Sequence, residues 1–84
     1  MDDLRGSLGR RVRILRAGLR MSQEALAERA DLHWTYISGI ERGRRNPGLN
    51  TLGRIAKALN VTLSDLLVGI GEPLRRPSGK RADR

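Results

Sequence analysis

From Gln23 to Arg42 the chain reads QEALAERADLHWTYISGIER, and two short helices with a break between them account for all of it. Ser22 is a good N-cap for the first, because its hydroxyl can accept from an orphan backbone N–H. Glu24 follows in the first turn, near the positive end of the helix dipole. Leu26, Ala27 and Ala30 mark the buried side. Asp31, which tolerates turn geometry better than most residues, breaks the run, and Asp31-Leu32-His33 forms the turn. The second helix spans about Trp34 to Arg42. Gly43 ends it by accepting a left-handed backbone.

The second helix has two distinct faces. At about 100° per residue with Trp34 at zero, Ser38, Arg42, Thr35 and Gly39 fall within an arc of roughly 140°. Ile37 and Ile40 lie opposite, with Tyr36 beside them as a packing residue. Ala27 is small where the two helices approach, and Leu32 plugs the turn. One face is therefore core. The other is polar and cationic, and carries Trp34 and a single glycine that would let a ligand come close. That is the build of a helix-turn-helix whose second helix lies in a DNA major groove. Thr35 and Ser38 are the side chains turned toward base edges. Trp34 either packs on a thymine methyl or is a half-buried surface side chain. Arg44 and Arg45, in the loop beside the helix, are placed for phosphates.

Outward from this pair the pattern stays helical. A first helix is predicted from about Leu8 to Leu19, with Ser7 as its cap and Leu8, Val12, Leu15 and Leu19 as its stripe. Arg10, Arg11 and Arg13 spread around it and cannot all face one ligand. Pro47 and Gly48 punctuate a loop. A fourth helix covers about Leu49 to Leu59, with Leu49, Leu52, Ile55, Ala56 and Leu59 as its stripe and Asn60 as its stop. A fifth begins at Thr62, where Thr62 and Asp65 make a capping-box pair, and ends at Gly69 and Gly71. Its apolar side, Leu63, Leu66 and Leu67 with Val68 and Ile70, is core or dimer surface. Strand signals are absent. The expectation is an all-α, compact five-helix bundle with a central helix-turn-helix. The DNA-binding domain covers 1–71. A basic tail over 72–84, broken by Pro and Gly, is expected to be disordered.

Composition agrees and excludes. A chain of 84 residues allows one domain with a modest core. With no Cys there is neither a disulfide framework nor a thiolate metal site. Seventeen Lys and Arg, fifteen of them Arg, stand against nine Asp and Glu, a net charge of +8. Arg presents a planar fork of donors that suits phosphates and guanine edges, so the expected partner is double-stranded DNA. One Trp, one Tyr and no Phe leave little to stack on RNA bases. No His–carboxylate pair, phosphate-binding glycine loop or metal cluster supports an enzyme, a cofactor or a metal. His33, the only histidine, is read as a hydrogen-bonding turn residue. No apolar run reaches the ~18 residues of a membrane span, and the start lacks the features of a signal peptide, so no membrane partner and a cytoplasmic location are expected.

Met21 to Ala30, followed by Thr35 to Gly43 and Arg45-Asn46-Pro47, resembles the phage repressor/Cro-type (XRE) helix-turn-helix family. Leu63 to Leu67 resembles that family's fifth helix, and the likeness runs from about Leu8 to Leu67. The Thr35–Arg42 segment is similar to small controller proteins of restriction–modification systems. The resemblance implies that Gln23 contacts a phosphate and that His33, Trp34, Thr35, Ser38 and Gly39 lie at the base-reading or groove-lining positions. It implies that Arg42, Arg44, Arg45 and Asn46 grip the backbone, and that Arg16 and Glu41 form an ion pair tying the first helix to the third. It also implies a homodimer on two half-sites, with contacts through the fifth helix region. Arg20 and Asp31 stand where the family favours Gly, His33 where a Ser, Thr or Asp cap is common, and Trp34 at an often polar reading position. The alternative is an antitoxin or protein-interaction module that uses the same fold and binds a protein partner.

Overall fold

The structure is a computed structural model and describes residues 3–71. The tail expected over 72–84 lies outside them. Five helices follow in order: α1 (Leu4–Gly18), α2 (Gln23–Ala30), α3 (Trp34–Glu41), α4 (Leu49–Ala58) and α5 (Leu63–Leu67). No strand occurs among the described residues.

Four of the five N-termini carry a side-chain acceptor: Asp3, Ser22, His33 and Thr62. Thr62 and Asp65 form the reciprocal capping box that their spacing predicts. The start of α1 differs from expectation. The helix begins at Leu4, and Ser7 lies inside it. Asp3, in extended geometry, accepts the Arg5 N–H at 2.9 Å, and the Arg5 guanidinium binds the same carboxylate at 2.7 and 3.1 Å. Those hydrogen bonds hold the Asp3 carboxyl below its ordinary range.

Helices α1 to α4 all end in one way. A left-handed residue follows each: Arg20 (φ 56°), Asp31 (58°), Gly43 (74°) and Asn60 (61°). The next N–H then reaches back over the helix end, from Met21 to Arg16 O, Leu32 to Ala27 O, Arg44 to Gly39 O and Val61 to Ala56 O, at 2.8–3.1 Å. This wrap satisfies orphan carbonyls whatever the side chain. Only one of the four is glycine; Asp31 and Asn60 are of types that tolerate the left-handed region, which leaves Arg20 to bear strain of about 1–2 kcal/mol.

The core is built on α3. Val12, Leu26, Ile37, Ile40, Ile55, Leu59 and Leu66 are essentially inaccessible. α3 packs on α1 and α2, α2 on α4, and α5 on both α4 and α1. Two expected stripe residues fall outside the core: Leu19 and Leu49 are 48% and 67% exposed. Both stand at helix ends, where the stripe overruns the packed face. Gly9 lets α1 and α3 touch backbone to backbone. A Cβ there would overlap the Ile40 carbonyl oxygen and stand 2.7 Å from that of Glu41.

Two arginines cap helices distant in sequence. Arg11 donates to the carbonyls of Asp65 (3.2 Å), Leu66 (3.1 Å) and Val68 (2.7 Å), closing the end of α5. Arg54 donates to the carbonyls of Ala30 (3.0 Å) and Asp31, closing α2. A cation at a helix C-terminus also meets the negative end of the dipole.

Candidate nucleic-acid interface

The geometry of the site starts from a buried carboxylate. Glu41, at the end of α3, has a side chain only 3% exposed. Arg16 of α1 grips it with two bonds, Nε to Oε2 at 2.6 Å and Nη2 to Oε1 at 2.9 Å, and spends Nη1 on the Met21 carbonyl at 2.8 Å. The ion pair that the resemblance implies is present. The hydrogen bonds that Arg16 donates to Glu41 raise the Arg16 pKa, and burial opposes them. Gln23 joins the pair, with its Nε2 donating to Glu41 Oε1 at 2.9 Å. One of its two amide hydrogens is thus used internally. Three helices meet at one carboxylate, which fixes the tilt of α3 against α1 and α2.

Above this network lies an open cleft. Its walls are Gly6, Arg10 and Arg13 of α1, Gln23 of α2, Ser38 of α3, Arg42 at its C-cap, and Arg44 of the following loop. The structure thus brings Gln23, Ser38, Arg42 and Arg44 together and adds Arg10 and Arg13. It also separates the α1 arginines: Arg11 is committed to α5 while Arg10 and Arg13 line the cleft. Spacing held a signal for this, since positions 6, 10 and 13 share one helical face.

The rest of α3 presents its first turn. His33 caps it, Nδ1 accepting the Thr35 N–H at 3.2 Å. Thr35 is exposed and Trp34 is 46% exposed. Ser38 is half-buried. Gly39 departs from expectation: it is buried, not an open gap in the face. The Arg45 stem lies across it, so a Cβ on Gly39 would sit 2.8 Å from Arg45 Cγ. The Arg45 guanidinium carbon is 5.3 Å from the Tyr36 ring centroid, a cation–π contact. Gly39 and Tyr36 therefore form a seat for Arg45, and Arg45 supplies the surface at that point.

Asn46 is placed elsewhere. It lines an apolar groove with Leu4, Leu8, Pro47, Leu52, Leu67 and Ile70. Of the candidate dimer residues, Leu66 is fully buried in its own chain, which leaves none of it for a partner. Leu63 and Leu67 are half-buried against the core, Ile70 is half-buried, and Val68 is 63% exposed.

An all-helical bundle that presents the first turn of its third helix beside an arginine cleft is the build of a DNA-binding regulator of the helix-turn-helix class. Residues 12–66, well over half the chain, match the helix-turn-helix family, and the chain belongs to it. The control protein C.BamHI of Bacillus amyloliquefaciens is 49% identical over 67 residues, covering 79% of this chain and 83% of that protein. The control protein C.SmaI of Serratia marcescens is 45% identical over 69 residues, 82% of each chain. Among solved structures, the restriction-modification controller protein C.AhdI from Aeromonas hydrophila superposes with a TM-score of 0.73 at 37% identity, covering 74% of this chain and 94% of that one. The chain is a DNA-binding transcriptional regulator of the phage repressor type. No described helix is long and apolar enough to cross a membrane.

Proposed function

We propose that this regulator binds a pseudo-palindromic duplex site as a homodimer, with α3 in the major groove, and controls a restriction–modification system in the cytoplasm. One observation carries the reading: the exposed first turn of α3 stands beside a cleft walled by Arg10, Arg13, Arg42 and Arg44. Thr35 reads a base edge and Trp34 packs in the groove, while the cleft and Arg45 take phosphates. The apolar groove of Leu67 and Ile70, with Val68 exposed beside it, supports the dimer. Half-sites then lie about 10 bp apart, one helical turn. Occupancy excludes or recruits polymerase according to where the site lies relative to a promoter.

The test is selection of purified protein against random duplexes at physiological salt with nonspecific competitor. A two-fold symmetric motif is the expected result. With that motif in hand, Arg45→Ala weakens all duplexes alike and flattens the salt slope by about one unit. Recovery of unrelated sequences alone would reduce the +8 charge to nonspecific attraction. The apolar groove would then be the place to look for a protein partner, as in the antitoxin reading.

A further inference from the structure

His33 Nδ1 is used twice. The Thr35 backbone N–H reaches it at 3.2 Å, and Thr35 Oγ1 lies 2.8 Å from it. A backbone N–H can only donate, so Nδ1 is the lone-pair nitrogen and the ring proton is on Nε2. The hydroxyl 2.8 Å away is then donating to the same nitrogen. A threonine hydroxyl has one hydrogen. With that hydrogen committed to His33, Oγ1 has only lone pairs left to offer.

We propose that His33 sets the hydrogen-bonding polarity of Thr35, making it a reader of amino groups. In the major groove these are adenine N6 and cytosine N4. Guanine O6 and N7 and thymine O4 are acceptors and find no hydrogen on Thr35. The inference rests on the placement of α3 in the groove proposed above. A free threonine hydroxyl rotates to suit either kind of edge and discriminates poorly. A threonine tied back to its N-cap does not. His33 is a positioning residue here, and its role requires no contact of its own with DNA.

Two substitutions at the cap separate polarity from helix support. His33→Asp keeps an acceptor at the cap. His33→Gly removes it, and glycine is itself among the residues favoured at an N-cap. The experiment starts from the selected site and finds the base pair whose identity matters to wild type and not to Thr35→Val, which keeps the branched shape and lacks the hydroxyl. That base is expected to be adenine or cytosine. Replacing it with purine or pyrimidin-2-one, which lack the amino group, weakens wild type roughly 3- to 10-fold more than it weakens Thr35→Val, the value of one hydrogen bond. In His33→Gly, guanine or thymine is accepted at the same pair to within about 2-fold, with helix content by circular dichroism unchanged. His33→Asp keeps the wild-type preference. A cap that is merely structural would lower affinity for every sequence alike in His33→Gly and leave the preferred base unmoved; that result overturns the inference. So does guanine or thymine at the Thr35-dependent pair, or the absence of any such pair. DNA recognition by α3 survives all three outcomes, whereas failure of wild type to enrich any motif removes both.

Discussion

Glu41 has a two-pronged arginine, a glutamine amide and almost no solvent around it; Leu67 and Ile70, at the other side of α1, line an open groove. The α1–α3 face is complete within one chain. Its hydrogen bonds are internal, its backbones touch at Gly9, and its arginines stand on that support. The α5 end is not complete. A five-residue helix has no stability alone, and this one is held by Leu66, a capping box and the reach of Arg11. Rigidity is concentrated on one side of the molecule. The surface proposed to meet DNA is set before any ligand arrives, while the surface proposed to meet a second copy waits for it.

The largest break in this contrast comes from Glu41→Ala. It strands the Arg16 guanidinium in a half-buried site and frees Gln23, and about 3–5 kcal/mol of stability should be lost in urea unfolding. A loss below about 1 kcal/mol would place the pair among solvated ion pairs and remove the claim that the face is braced from within. Gly9→Ala attacks the same face through sterics. Overpacking costs about 1–3 kcal/mol, against roughly 1 kcal/mol of gained helix propensity. Net destabilisation is expected, and a stabilised variant would show that α1 and α3 do not touch there. On the other side, Arg11→Ala should cost about 1–2 kcal/mol and speed amide exchange in α5 ahead of α3. Equal acceleration in both helices would mean that the two regions open as one. The smallest effect sharpens the contrast instead. Arg20→Gly relieves a left-handed arginine, offset by glycine's backbone entropy, for a gain of about 0.5 kcal/mol and a melting point a few degrees higher. A lower melting point would mean that the Arg20 side chain contributes more than its backbone strain removes.

Local signals in the sequence carried the helix-turn-helix almost entirely. Ser22, Asp31, Gly43, Asn60 and the Thr62–Asp65 pair each act on their own backbone within a few residues, so their types announce their roles. The start of α1 was obscured because Ser7 is as good a cap by type as Asp3; in the fold Asp3 takes the cap, and the Arg5 backbone and side chain both bond to its carboxylate. Gly39 was misleading for a different reason. Its type suggests a gap left for a ligand, and only the fold shows that Arg45, six positions on, fills that gap. Arg11 and Arg54 were illegible as caps. Their carbonyl partners lie 54–57 and 23–24 positions away, and a periodic pattern carries no information about such reach. Leu66 was correctly seen as apolar, but an apolar stripe does not say whether its neighbour belongs to the same chain.

Trp34 is the only tryptophan in the chain, and it stands nearly half exposed at the first position of α3. The molecule therefore carries its own optical reporter at the point of interest, with no second indole to dilute the signal. Emission from an indole in water lies to the red of one packed against bases, and stacked bases quench it. A titration followed at the tryptophan band thus tests whether DNA buries that one turn, without a dye and without altering any residue of the cleft. Iodide, which reaches only open fluorophores, gives the converse measure: its access to Trp34 is expected to fall as DNA is added if the proposed placement of α3 in the groove holds, and to stay unchanged if it does not.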